Sequence, residues 1–460
     1  LHKVEGTYGI GVISADHSNE IVTARRGSPL VLGVCDGETF AASDVAALVG
    51  HTREVVYLED DDIAVLTPGN YHIRSLNSGI ILRQTQTVDW DVRAAKKQGY
   101  PHFMLKEIFE EPEAIRSALR GRLVEAEGIS KLGGLEQVGE ALLKMKRLII
   151  VSCGTSYYAG LLGRYMIESL THLHVEVDLA SEFRYRTLNL QEGTVVLAIS
   201  QSGETADTLA AVREAKRKGA LVLGLVNVVG SNIARETDAG IYNHAGPEIA
   251  VASTKSFVSQ LTILYLLGLF LARHRGLSVT EGQAFIRELQ SIPEKVRWIL
   301  DRSSQIEEIA RRYAGYKDFL YLGRKFNYPI ALEAALKLKE ISYLHAEAYA
   351  AGEMKHGPIA LIDQQFPSIC IAPRDSTYEK MLSNIQEVKA RNGPVIGVGN
   401  VGDVELQRIC DDVIEFPITD EVFTPFLSIV PLQLLAYYVA RVNGCHIDQP
   451  RNLAKSVTVA

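Results

Sequence analysis

Apolar residues recur with two different periods along this chain, and the change of period divides it. Over residues 1 to about 90 they alternate with polar ones in short runs, GTYGIGVIS, EIVTARR, PLVLGV, TFAAS, VVYLE, DIAVLT and YHIRSL, separated by glycines and by acidic turns such as Glu59-Asp60-Asp61-Asp62. A period of two bounded by turn residues predicts strands, so this part reads as a β-rich module with little helix. From Trp90 to Gly128 the period lengthens, and HFMLKEIFEEPEAIRSAL predicts an amphipathic helix interrupted at Pro112, within a segment that reads as a linker.

From Arg147 compact apolar runs alternate with helical segments, and the same plan runs twice. In the first copy RLIIVSCGTS leads into a helix, TVVLAISQSGET into another, then come ALVLGLVN and a long apolar helix ending at ARHRG. The second copy has DFLYLGRKF, FPSICIAPRDS, GPVIGVGN and a long apolar helix ending at ARVNG. Cys153 and Gly323, Ser200 and Pro373, and Arg273 and Arg441 are corresponding points about 170 residues apart. Short continuous apolar runs suit strands covered on both faces, so two similar α/β domains are expected, each a parallel sheet wrapped by helices. Pro293 and a charged helix over roughly 294–312 are expected to join them.

Length and composition narrow the partners. A chain of 460 residues has room for about three domains, and 47% hydrophobic with 22% charged residues is ordinary for a globular protein. The formal charge of −7 carries no footprint for nucleic acid or an anionic membrane, which leaves small molecules and protein chains as partners. The most apolar run, Leu261 to Ala272, reads as a core helix too short to span a bilayer. Cysteines 35, 153, 370, 410 and 445 form neither CxxC pairs nor a disulfide framework, so a reducing cytoplasm is expected, with no metal site and no cofactor. The first residue is Leu1, with no initiator Met and no signal-peptide pattern, and the expectation is a fragment whose start has been removed.

Candidate chemistry gathers at the strand ends of the first copy. Ser200, Gln201, Ser202, Gly203, Glu204 and Thr205 follow a strand and precede a helix, and they combine hydrogen-bonding side chains, a turn glycine and a helix N-terminus. Neutral donors beside unpaired N–H groups suit a phosphate monoester, provided Glu204 points away. Thr155 and Ser156 occupy the preceding loop, and open α/β sheets bind ligands at the carboxyl ends of their strands, so the two loops should converge. A third hydroxyl loop, VASTKSF at 251–257, also precedes a helix, whereas the equivalent loops of the second copy read GRK and PRD. There the chemistry is ionic instead: Glu333, Lys337 and Glu340 lie within about 60° of one another on one helix face, flanked by Leu336 and Ile341. A surface ladder of ion pairs has the same spacing, but an apolar border suggests partial burial and shifted proton affinities. His356, beside Gly357-Pro358, is a plausible proton carrier, and Lys455 lies in a tail, CHIDQPRNLAKSVTVA, where a lysine is ordinarily solvated.

Taken together, CGTSYYAG, ASEFRYR, SQSGETADTL, EIAVASTKSF, YPIALEAALKLKEISYLHAEAYAAGEMKHGP, PLQLLAYYVA and the tail DQPRNLAKSVTV resemble the glucosamine-6-phosphate synthase family, the isomerising glutamine–fructose-6-phosphate aminotransferases. RRGSPLVLGV and FAASDVAAL resemble the later half of that family's N-terminal-nucleophile glutaminase domain, whose earlier half, with its nucleophilic cysteine, has no counterpart here. The resemblance implies an α/β protein with two tandem sugar-isomerase (SIS) domains after a partial glutaminase domain. The implied division is 1–92 partial glutaminase, 93–135 linker with helix, 136–278 first SIS domain, 279–309 connecting helix, 310–445 second SIS domain and 446–460 active-site tail. It further implies that Thr155, Ser156, Ser200, Gln201, Ser202 and Thr205 hold the sugar phosphate, and that Val251, Ser253 and Ala454 line the sugar site. Lys455 would form a Schiff base with C2 of open-chain fructose 6-phosphate, Glu340 would move the proton between C1 and C2 with Lys337 beside it, and His356 would assist ring opening in a neighbouring subunit of a homodimer. The substrates implied are fructose 6-phosphate and glutamine or ammonia, and the product is glucosamine 6-phosphate. A phosphosugar isomerase or deglycase on the same doubled domain, and a non-catalytic phosphosugar sensor, are the alternatives; a sensor has no need of Glu340, His356 and Lys455 together.

Overall fold

A computed structural model describes residues 1–88 and 96–458. The expected boundary at 92/93 and the terminal Ala460 lie outside the described residues. Residues 1–88 form two antiparallel sheets, in accord with their period of two. One has five strands, Tyr8–Ser14, His17–Arg26, Asp62–Thr67, Asn70–Ser75 and Gly79–Ile81; the other runs Glu38–Ala42, Val31–Cys35, Glu54–Tyr57 and Gln86–Thr87. Leu32 and Val56 from one sheet, Leu58 just after it, and Ala64, Leu66 and Ile73 from the other share a buried cluster.

The doubled pattern becomes two parallel five-stranded sheets. In the first, Arg147–Ser152 lies between His174–Leu179 and Thr194–Ser200, followed by Leu221–Val226 and Ala239–Tyr242. In the second, Asp318–Gly323 lies between His345–Ala350 and Ser368–Ile371, followed by Val395–Asn400 and Asp412–Phe416. Numbered along the chain each order is 2-1-3-4-5, so strand order reverses between the first and third strands, where a doubly wound sheet opens its ligand crevice. Side chains of successive strand residues go to opposite faces. Ile149, Val151, Val196 and Ala198 pack on an outer layer that includes helix Ala206–Arg217. Leu148, Ile150, Val195, Leu197 and Ile199 join an inner core with helices Gly154–Thr171 and Lys255–Arg273. That inner core continues into helices Asn327–Ser342 and Thr424–Val442 of the second copy, so the two domains share one apolar interior.

Three elements differ from their expected form. The interrupted helix is two helices, Phe103–Phe109 and Glu111–Leu119, with Pro112 in the first turn of the second, where its missing N–H has no intrahelical partner to lose. Both helices are largely buried rather than lying on the surface as a polar tether. The joining segment is not broken at Pro293: helix Val279–Leu300 runs through it and is followed by Ser303–Tyr313. Its start is fixed by Ser278 and Glu281, which cap each other's backbone N–H, and burial of Phe285, Ile286, Leu289, Ile292 and Val296 outweighs the hydrogen bond that the proline removes. The apolar run at 261–272 belongs to a 19-residue helix, Lys255–Arg273, and this helix and residues 421–442 are long and apolar enough to cross a membrane. In each, 94% of the apolar window is buried inside the protein.

Candidate active site

The loop after the third strand of the first sheet is held open by its own hydroxyls. Ser200 Oγ accepts the Gly203 N–H at 3.0 Å and lies 2.9 Å from Thr205 Oγ1, and Ser202 Oγ accepts the Glu204 N–H at 3.1 Å. Gly203 has φ +68°, and a Cβ there would lie 2.0 Å from Ser231 Oγ, so both conformation and space demand glycine. Glu204 does point away: its carboxylate accepts both the backbone N–H and the side-chain amide of Asn232. Burial pushes its pKa up to about 7 against those hydrogen bonds, which further reduces its charge beside the loop. Gln201 is half-buried, and its carbonyl accepts the Asn227 N–H at 3.2 Å. The tail reaches this loop, since Ala206 N–H, at the N-terminus of the following helix, donates to the carbonyl of Val457 at 3.1 Å.

Thr155 and Ser156, expected in a loop, lie in the first turn of helix Gly154–Thr171, and this turn faces the other domain. Thr155 hydroxyl is 3.1 Å from Glu333 Oε1 and accepts from Lys337 Nζ at 3.0 Å; Lys337 in turn donates to Glu340 at 2.6 Å. The charged stripe is therefore an internal feature facing the hydroxyl loops, and an exposed ladder is ruled out: Glu333 and Lys337 are fully buried, and Glu340 keeps 21% of its side chain accessible. Burial raises the Glu333 pKa to about 8 even beside Lys337. Burial opposes the Lys337 charge, but Glu333 and Glu340 outweigh it and push its pKa above the lysine range. Ser156 Oγ accepts from Gln260 at 3.0 Å, which ties the loop to the buried helix 255–273.

Lys455 is not a solvated tail lysine. Its Nζ donates to Glu248 Oε2 at 2.7 Å and to the carbonyl of Ala250 at 2.8 Å, with 17% of the side chain exposed. Glu248 is wholly buried and also accepts the N–H groups of Thr254 and Ser256, at 2.9 and 3.0 Å. Burial alone would raise its pKa, but Lys455 and these N–H groups hold it at about 2. Val251 and Ser253 are half-buried on the same strap, and Ala454 is exposed just before the lysine. His356 stands apart: it is exposed at the end of the 3-10 turn Ala351–His356 and forms no hydrogen bond or ion pair with the described residues. In the second copy the cations at the equivalent loops are occupied, Arg374 by Asp403 and Lys325 by Glu421.

The structure thus brings together Thr155, Lys337, Glu340 and Glu333 in one network, Ser200, Ser202 and Thr205 in a second, and Lys455 with the 248–253 strap in a third. Sequence reasoning passed over Glu248 and the buried Glu107, whose Oε1 accepts the N–H groups of Ile249 and Ala250. The only signal for Glu248 was its place at the head of EIAVASTKSF, five residues before the first hydroxyl, Ser253.

The fold and this crevice define the chain as a double SIS-domain protein: the SIS domain family matches residues 141–269 and 314–442. The chain is 52% identical over 459 residues to a glutamine–fructose-6-phosphate aminotransferase (isomerizing) of Chlorobaculum tepidum and 50% identical over 460 residues to one of Methanosarcina mazei. All of this chain is covered in both comparisons, against 75% and 74% of those relatives. Among solved structures, the C-terminal domain of glucosamine-fructose-6-phosphate aminotransferase from Francisella tularensis superposes with a TM-score of 0.73 at 39% identity, covering 77% of this chain and all of that one. A glucosamine-6-phosphate deaminase from Thermotoga maritima, at 23% identity and a TM-score of 0.59, shares the fold. The chain belongs to the glutamine–fructose-6-phosphate aminotransferase (isomerizing) family.

Proposed function

We propose that the chain converts fructose 6-phosphate to glucosamine 6-phosphate in the cytoplasm, with ammonia that in the intact protein is drawn from glutamine by the glutaminase domain of which residues 1–92 form part. The observation that carries this reading is Lys455, brought from the tail onto Glu248 and Ala250 beside the hydroxyl loops. Thr155, Ser156, Ser200, Gln201, Ser202 and Thr205 hold the phosphate, with helix N-termini adding to their donors. Val251, Ser253 and Ala454 line the sugar. Lys455 nitrogen attacks C2 of the open-chain ketose, water leaves and an imine forms; ammonia then adds at C2 and displaces the Lys455 amine, leaving the C2 imine of ammonia, and Glu340 takes a proton from C1 and returns it at C2, with Lys337 fixing its carboxylate. Ammonia supplies the amino group, so one water is released for each ammonia taken up. No cofactor enters these steps. Incubating the chain with fructose 6-phosphate and ammonium should yield glucosamine 6-phosphate; glucose 6-phosphate alone would favour the isomerase reading, and no turnover with tight phosphosugar binding would favour the sensor.

Two expected results follow from the geometry. Ser202→Ala with Thr205→Ala removes two donors from the loop and should weaken binding of fructose 6-phosphate and of product alike, each lost hydrogen bond to a charged group being worth about 1.5–3 kcal/mol; isothermal titration with both sugars reads this, and unchanged affinity would move the phosphate elsewhere. His356 is exposed and its side chain has no partner among the described residues, which supports a homodimer in which it opens the ring in the neighbouring subunit's site. Mixing inactive His356→Ala and inactive Glu340→Gln chains should then restore activity through hybrid dimers. No recovery despite demonstrated subunit exchange would put His356 in its own site.

A further inference from the structure

We infer that Glu107, on the buried helix Phe103–Phe109, is a positioning residue for Lys455; the inference rests on the reading of Lys455 as the imine-forming lysine. Lys455 Nζ is gripped by two acceptors two residues apart, the Glu248 carboxylate and the Ala250 carbonyl. The strap that carries them is anchored from behind by a single oxygen: Glu107 Oε1 accepts Ile249 N–H at 2.6 Å and Ala250 N–H at 3.3 Å. Ala250 thus contacts Glu107 through its N–H and Lys455 through its carbonyl, and Ile249, also held by Glu107, follows Glu248 directly, so a displacement at Glu107 is passed to both contacts of the Nζ.

The same helix is tied to the root of the tail. Asp448 accepts the N–H groups of Phe103 and Met104 at 2.9 and 3.0 Å, while its carbonyl accepts Val251 N–H at 3.0 Å. Helix, strap and tail root form a closed ring of hydrogen bonds, from which Lys455 projects seven residues after Asp448. The helix itself follows residues 89–95, so it is the first described element beyond the glutaminase-like module. Glu107 thus sets the lysine that attacks the sugar without touching the sugar.

The role requires an acceptor, not a charge. Glu107 is fully buried, its Oε2 has no hydrogen-bond partner among the described residues, and burial followed by the nearby Glu248 carboxylate pushes its pKa up to about 8, so it is mostly neutral at pH 7. Glutamine, whose carbonyl offers the same oxygen at the same reach, should replace it; alanine removes the acceptor, and aspartate falls one methylene short.

The test is borohydride trapping of fructose 6-phosphate on the full chain, followed by mapping of the C-terminal peptide. Glu107→Ala should slow adduct formation at Lys455 by about 10–10²-fold, the scale of a displaced reacting group, while affinity for glucose 6-phosphate, set at the 200–205 loop, stays within about twofold. Glu107→Gln should restore trapping. If Glu107→Ala does not fold, as read by thermal melting, Glu107→Asp takes its place with the same expected slowing. Trapping at the unaltered rate in the alanine or aspartate variant overturns the inference while leaving the imine at Lys455 intact. Slowing in the glutamine variant equal to that in alanine overturns it too, because a charge would then be what matters. No adduct at Lys455 in the unaltered chain overturns both the inference and the reading it rests on.

Discussion

Lys455→Ala is expected to abolish the borohydride-trapped adduct and to lower turnover by ~10⁴-fold or more, the scale seen when a nucleophile is removed from a site that keeps its binding groups. Two lysines approach the crevice, and their surroundings decide between them. Lys337 is fully buried, held by Glu340 and Thr155 with Glu333 beside it, and its proton affinity is pushed up. An amine in that position stays an ammonium and has no lone pair to offer. Lys455 has one carboxylate and one carbonyl and keeps 17% of its side chain accessible. Mass spectrometry of the trapped peptide reads the outcome, and an adduct on the 327–342 peptide would reassign the imine to Lys337.

How much of this was legible in the sequence depends on range. Strand runs such as TVVLAIS and DFLYLG declare themselves because a strand covered on both faces is apolar at every position, and the duplication follows from their order. The hydroxyl loops were legible for the same reason, since they sit where the chain leaves a buried strand and enters a helix. Pro293 was misread because a local rule against proline in helices says nothing about five buried apolar residues on the face that carries it. The helices at 103–119 read as a polar linker because Lys106, Glu107 and Glu111 look like a solvated face; their burial depends on partners at 248–255 and on helix 424–442, far away in sequence. Glu248 escaped notice on the same grounds. A single glutamate before an apolar strap carries no local sign that a lysine 207 residues later will close on it. Lys455 itself was legible only through resemblance, because position alone argues for a solvated lysine near the C-terminus.

Glu340→Gln separates chemistry from binding. Converting a ketose imine to an aldose requires one base to take a proton from C1 and return it at C2, and a carboxylate held over the planar intermediate suits the task. In the stripe on helix 327–342 Glu333 is fully buried and has one oxygen on Thr155, with its pKa raised to about 8. Glu340, at the accessible end, has one carboxylate oxygen bonded to Lys337 at 2.6 Å. That contact fixes the carboxylate plane. Glutamine preserves the shape and the hydrogen bond acceptor but has no site for the proton, so the rate should fall by about 10²–10⁴-fold. Affinity for fructose 6-phosphate should stay within a few-fold, because the residues proposed to hold the phosphate, at 155–156 and 200–205, lie on the other domain. Exchange of the C1 hydrogen with deuterated solvent, followed by NMR, isolates the step: the unaltered chain should exchange it and Glu340→Gln should not, even where the imine at Lys455 still forms. A glutamine variant that traps the imine and exchanges at the unaltered rate would move the proton transfer to Glu333. There the Thr155 hydroxyl, 3.1 Å from the carboxylate, would become the group to remove next.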